Sequence, residues 1–215
     1  MLNVNFFTFN AFEENTYVLF NEKKQCWIID PGMYDERETA QMIAYITDKQ
    51  LIPQAIINTH AHLDHIFGVQ ALIDKYGIPF GVHEQELPVL RMAAGSAAIF
   101  GFDFKHTPKP DFFITENEPL KVGDDTLKVF HTPGHSTGSI SFYYPQGNWV
   151  ISGDVLFAGG IGRTDLPGGN LDTLLNSIRT HLFTLPGDTT VLSGHGPATQ
   201  IAHEKKHNPF LNPQP

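Results

Sequence analysis

The apolar positions of the chain change period several times, and those changes mark its elements. Tyr17 to Phe20 and Cys26 to Ile29 are short runs of β-branched and aromatic residues on either side of the polar segment 21–25. That pattern predicts a hairpin, closed by the turn dipeptides of Asp30-Pro31-Gly32. Between 35 and 50 the spacing lengthens, with Met42, Ile43 and Ile46 at helical intervals and Asp35 and Glu36 suited to a first turn. A strand over 54–58, a helix over 67–76 stopped by Gly77, and a strand over 78–83 follow. Residues 94–114 hold neither period, so they are expected to form a packed excursion or a flap, with the phenylalanines of 100–113 used for packing. Strands resume over 118–131, 139–144 and 148–152, then a helix over 171–183 and a last strand over 189–193. This alternation predicts the α/β class.

Two strand ends share one form. Val150-Ile151-Ser152-Gly153-Asp154 and Val191-Leu192-Ser193-Gly194-His195 each run apolar, apolar, Ser, Gly and then a side chain that can bind a metal. The stretches 55–60 (AIINTH) and 127–135 (LKVFHTPGH) are looser versions. Sites in α/β sheets collect beyond the carboxyl ends of strands, where rigid strands hold converging loops, so four such ends can build one site.

Composition narrows the class. At 215 residues, with 41% hydrophobic and 17% charged residues, the chain is expected to be globular and to form one domain over 1–215. A formal charge of -9 with only 14 Lys and Arg leaves no basic stripe, which argues against nucleic-acid and anionic-membrane partners. Cys26 is the single cysteine, so no internal disulfide forms and a reducing, cytoplasmic location is expected. The N-terminus has no basic residues ahead of its apolar positions, unlike a signal peptide, and no apolar run approaches the roughly 20 residues of a membrane span.

The chemistry concentrates in Thr59-His60-Ala61-His62-Leu63-Asp64-His65. His60 and His62 are two apart in an extended segment and leave on one side, whereas Asp64 and His65 follow a bend and can face elsewhere. One loop can thus serve two adjacent cations. Imidazole and carboxylate without thiolate suit Zn, Fe or Mn. With the strand-end echo, the candidate ligand set is His60, His62, Asp64, His65, His135, Asp154 and His195. His135 is preferred to His131 because Pro133-Gly134 turns it clear of the strand; His131 then orients the loop. His83, His106, His181, His203 and His207 are expected to be structural or solvated, and Asp30 to be a turn residue that can also buttress a ligand histidine. The G-x-S-x-G string at Gly134-His135-Ser136-Thr137-Gly138 lies between two expected strands rather than on the strand-to-helix turn of a nucleophile elbow, and the one cysteine has no adjacent base, so a side-chain nucleophile has no support.

These residues carry a resemblance. H-A-H-L-D-H at 60–65, followed by His135, Asp154 and His195, resembles the metallo-β-lactamase superfamily over almost the whole chain. The stretches 131–139 (HTPGHSTGS), 152–163 (SGDVLFAGGIGR) and 193–199 (SGHGPAT) resemble its glyoxalase II branch, hydroxyacylglutathione hydrolases, in short bacterial single-domain form. The resemblance implies a four-layer αββα sandwich with metals at one edge of the paired sheets. It implies that His60, His62 and His135 hold one metal, that Asp64, His65 and His195 hold a second, and that Asp154 bridges them. The implied cofactors are two divalent cations, zinc first, with iron or manganese also compatible.

A metal pair supplies a hydroxide nucleophile near neutral pH, so the expected reaction is hydrolysis of a small-molecule thioester such as S-lactoylglutathione. Asp64 is expected to orient that hydroxide as well. Another ester or a lactone is the broader alternative. Departures from the branch are expected to bear on substrate: only 20 residues follow His195, too few for the helical domain that helps glyoxalase II grip glutathione. Arg163 matches a family basic residue and can hold a substrate carboxylate or form a structural salt bridge. The positions of two family aromatic contacts are taken by Asp165 and Pro197, which weakens or alters thiol recognition. Gly162-Arg163-Thr164-Asp165 also resembles the persulfide dioxygenases, which use a single iron, but a complete dinuclear set favours hydrolysis. A β-lactamase reading fits poorly without a thiolate ligand or export signal, and charge opposes a nuclease.

Overall fold

The computed structural model describes residues 1–104 and 106–212. Lys105, within the expected excursion, and residues 213–215 of the expected domain lie outside the described residues. The chain forms two compact units, the first comprising Met1–Ile114 with Val122–Asp125 and the second Thr115–Lys121 with Thr126 onward.

The first unit is built on a six-stranded sheet in sequential order: β1 (Asn3–Phe9), β2 (Glu14–Phe20), β3 (Gln25–Ile29), β4 (Ile52–Ile57), β5 (Phe80–Val82) and β6 (Phe112–Phe113). β1 to β3 are antiparallel, and β3 to β6 are parallel. The carboxyl ends of β3, β4 and β5 therefore open on one edge, which is where Asp30, the histidine loop and His83 emerge. Helix α1 (Glu36–Asp48) starts where Asp35 accepts the Glu38 N–H at 2.8 Å, a cap worth about 1 kcal/mol. Helix α2 (Val69–Tyr76) ends at Gly77, whose φ of 63° is the left-handed cap that glycine adopts without strain. Val18, Ile28, Met42, Ile56, Leu72 and Phe80 join in one core.

The expected excursion is corrected in its first part, because residues 94–100 complete a helix, α3 (Leu87–Phe100). Its buried positions include Val89, Ala93 and Ala97, so the inward stripe is carried partly by alanines, which give weak contrast against their Gly and Ser neighbours. β1 was likewise outside the expected elements, since adjacent Phe6 and Phe7 interrupt the alternation of period two.

The second unit carries a sheet in the order β14-β13-β10-β9-β8-β7, with β7 (Leu120–Val122), β8 (Asp125–His131), β9 (Ile140–Tyr144), β10 (Trp149–Gly153), β13 (Thr190–Ser193) and β14 (Thr199–Gln200). β11 (Leu156–Phe157) and β12 (Gly160–Ile161) form a small hairpin. β9 is antiparallel to both β8 and β10, and β10 is parallel to β13, so β8, β10 and β13 run the same way. Their ends deliver His135, Asp154 and His195 to one edge. Helix α4 (Leu171–Ser177) continues through a widened turn over Ile178–Leu182, and α5 (Ile201–His207) follows β14. Leu174, Ile178, Leu182, Val191 and Ile201 pack with Val150 in this unit's core. Among the described residues no helix is long and apolar enough to cross a membrane.

Candidate metal centre

In the first unit the histidine loop is fastened by buried acids. Asp30, at φ 51°, sits just past β3 and accepts the Thr59 N–H at 2.7 Å and the Thr59 hydroxyl at 2.6 Å. Its Oδ2 also lies 3.2 Å from His65 Nδ1. A carboxylate on Nδ1 fixes the ring and leaves Nε2 as the metal-facing nitrogen. Asn58 holds the loop from inside, donating to the carbonyls of His65 at 2.7 Å and His60 at 3.2 Å. The His60 ring lies 4.8 Å from that of His62 and 4.1 Å from that of His65, centre to centre. Asp64, on the single 3-10 turn Leu63–His65, has Oδ2 3.7 Å from His65 Nε2. Asp30, His60 and His65 bring donor atoms within 4.8 Å of one another.

Sequence reasoning missed two further acids. Glu14 is fully buried at the start of β2, accepts from the Thr16 hydroxyl at 2.9 Å, and has Oε1 3.8 Å from His65 Nδ1. Burial holds its carboxyl well above the usual carboxylate range, against the opposing pull of His65. Glu86, also fully buried, accepts the Ala61 N–H at 2.8 Å. An acid at a strand start or in a polar loop reads as solvated, and only the tertiary fold turns it inward.

In the second unit Asp154 is the centre. Its Oδ2 lies 3.5 Å from Nε2 of His135 and 3.5 Å from Nε2 of His195. His135 is oriented by its other nitrogen, since Nδ1 donates to the Arg163 carbonyl at 2.8 Å. His131 instead donates through Nε2 to the Thr137 carbonyl at 3.0 Å, closing the loop that carries His135. The serines of the strand-end echo now have a cause: Ser152 and Ser193 both donate to the Leu156 carbonyl, at 3.2 and 2.8 Å. They tie the loop after Asp154 to the ends of β10 and β13. Glycine at 162 is required because a Cβ there would strike the Asp154 carbonyl and crowd His135.

The metallo-beta-lactamase superfamily model matches residues 10–195. The chain belongs to this superfamily. Among metallo-β-lactamase relatives, the "Probable metallo-hydrolase YqgX" of Bacillus subtilis is 46% identical over 203 residues, covering 93% of each protein. The "Hydroxyacylglutathione hydrolase GloC" of Haemophilus influenzae is 36% identical, covering 98% of this chain and 99% of its own length. The solved BLEG-1 B3 metallo-beta-lactamase is 42% identical, with a TM-score of 0.90, and the match covers 98% of this chain and all of that one. TTHA1623, solved in a di-iron-bound form, is 38% identical with a TM-score of 0.87, covering 96% and 100%. The chain therefore has the metallo-β-lactamase fold, within the expected α/β class, and is a metallohydrolase of that superfamily.

Within each unit the donor set fits the divalent cations of metallo-β-lactamase proteins. It offers imidazole nitrogens and carboxylate oxygens, while the one thiol, Cys26, is buried in β3 with its pKa pushed up to about 12 by burial. Arg163 turns its fork outward onto Asp165, at 2.8 and 2.6 Å, and Asp165 is held down to about 2 by that contact. His181 stacks on Phe130 at 5.6 Å, far in kind from a ligand role. His203 and His207, expected without ligand spacing, stand one turn apart on α5 with rings 5.0 Å apart and exposed.

Proposed function

We propose that the chain is a dinuclear thioester hydrolase of the glyoxalase II type, with S-lactoylglutathione as leading substrate and other small esters or lactones within reach. The observation that carries this reading is the Asp154 carboxylate faced at 3.5 Å by both His135 and His195, the geometry of an acid shared between ligand sets. The 36% identity to a hydroxyacylglutathione hydrolase, over nearly full length on both sides, supports the same branch.

On this reading His60, His62 and His135 would hold one cation and Asp64, His65 and His195 the other, with Asp154 serving both. Zinc is the proposed occupant, with iron the main rival on the strength of the di-iron neighbour. Such cations, when bound, supply the Lewis acidity that makes water nucleophilic at neutral pH and polarises an acyl carbonyl. The side chains do the rest. Asp30 and the Arg163 carbonyl fix which nitrogen His65 and His135 present. On this reading Asp64 also orients the attacking water, by accepting a hydrogen bond from it. Arg163 can exchange Asp165 for a substrate carboxylate. The leaving thiolate needs no proton donor, because a thiol ionises near pH 8.5, roughly as in free cysteine. The reading also implies a soluble small-molecule substrate, a cytoplasmic setting, and neither nucleic-acid nor membrane partners.

The identity to a B3 metallo-beta-lactamase makes a β-lactam the second substrate class. Purified protein assayed on S-lactoylglutathione, on a chromogenic cephalosporin and on glutathione persulfide, with metal content counted in parallel, separates the readings. Thioester cleavage with two metals per chain is expected. Oxygen uptake on the persulfide with a single iron, or turnover confined to the cephalosporin, would overturn it.

A further inference from the structure

The metal-ligand loop has a further anchor besides Asp30 and Asn58. Glu86 occupies the residue before α3, where an acid ordinarily stays in solvent or caps its own helix. Its side chain makes no capping bond to α3. It is instead turned inward to 0% exposure, and Oε2 accepts the N–H of Ala61, 25 residues earlier, at 2.8 Å. Ala61 is itself fully buried and lies between His60 and His62. Fixing that amide fixes the plane of the His60–Ala61 peptide, and with it the course of the backbone between the two residues that carry the imidazoles.

Burying a carboxyl is costly, and an isolated loop amide could be satisfied by water at less expense. The position of Glu86 is also well braced: its own N–H donates to the His83 carbonyl at 2.9 Å, at the end of β5, and α3 begins on its other side. A rigid strand end and a helix start thus hold the oxygen that holds the loop. We propose that Glu86 is a positioning residue for the His60 and His62 pair, acting through the Ala61 amide. The inference rests on the metal-centre reading above.

The test is cobalt(II) titration of the full-length, metal-stripped chain against a competing chelator, following visible absorption, with thermal unfolding of each metal-free protein alongside. Glu86→Gln keeps an oxygen at the same reach and should bind both cations with the affinity and spectrum of the wild type. Glu86→Asp keeps the carboxyl but withdraws the oxygen by one methylene. It should bind one equivalent about 10- to 100-fold more weakly, the usual cost of losing an outer partner of a metal ligand, with an altered absorption band. The opposite order, with Asp normal and Gln weakened, would show that the carboxyl and not its reach matters and would sink the proposal. Equal affinities in all three proteins would sink it as well. Failure of the wild type to take up cobalt at all would overturn the metal-centre reading and the role of Glu86 with it.

Discussion

The Arg163 guanidinium grips the Asp165 carboxylate at two points, Nε to Oδ1 at 2.8 Å and Nη2 to Oδ2 at 2.6 Å. Both side chains are more than half exposed, at 56% and 67%, so water and salt screen the pair and a second carboxylate can replace Asp165 at little cost. Arg163→Ala is expected to raise KM for a carboxylate-bearing thioester roughly tenfold while leaving kcat near its original value, the signature of lost uniform binding. Asp165→Asn should do the reverse, lowering KM a few-fold with no change in melting temperature. Steady-state kinetics on both variants check this, and a pure kcat loss in Arg163→Ala would remove Arg163 from substrate binding. The Asp165 carboxyl is depressed to about 2, so the pair is intact above about pH 4 and is lost only as pH falls through the folded value. Variation of KM between pH 5 and 8 must then come from other groups.

Asp154 faces two imidazoles at once, so its removal should affect more than one cation. Asp154→Ala is expected to abolish turnover and to leave fewer than two cations per chain after dialysis, counted by elemental analysis. Asp154→Asn keeps the shape and loses the charge, and should hold cations more weakly than wild type without unfolding. Near-normal activity in either variant would rule out the shared-acid assignment.

The repeated form of the strand ends was legible in the sequence, and the fold gives its serines a use. The serines at 152 and 193 meet on the same carbonyl, that of Leu156, which is why the echo included them. The turn Asp30-Pro31-Gly32 was legible as a turn, and the side chain of Asp30 proves to buttress His65. Glu14 and Glu86 were not legible. Their burial depends on partners brought in by the tertiary fold, and no local period marks an inward-facing acid in a loop or at a strand start. Helix α3 was hidden for a different reason, since Ala93 and Ala97 fill core positions without the hydrophobic contrast that periodicity relies on.

Gly162 offers a test of how tightly the Asp154 and His135 loops are packed. A methyl added there would meet the Asp154 carbonyl, a backbone atom that cannot swing aside, and then His135 Cβ at 3.1 Å. Gly162→Ala is expected to destabilise the protein by about 1–3 kcal/mol, as overpacking does, and to weaken cation binding by displacing both proposed ligands together. Chemical denaturation and chelator competition measure the two effects. Unchanged stability would mean that the loop can relax, and that its glycine is dispensable.

Cys26 reports on the core of the first unit and on stability at alkaline pH. Its side chain is wholly buried in β3, and burial pushes the thiol up to about 12. In the unfolded chain the same thiol ionises near pH 8.5, roughly the free-cysteine value. Raising pH between these values therefore releases a proton from the unfolded state while the folded thiol keeps its own. The folded state is fully favoured below the lower value and loses ground as pH rises toward the upper one, by up to about 1.4 kcal/mol per pH unit from this group alone. Cys26→Ala removes that slope, although the lost sulfur leaves a small cavity. Denaturant unfolding at pH 8, 9 and 10 should thus show the wild type losing stability faster than the variant. A disulfide reagent at pH 8 should label Cys26 only after denaturant is added, because the folded thiol is both un-ionised and out of reach. Rapid labelling of the native protein would show that this part of the core opens readily, and parallel pH slopes would show that the thiol is not held up.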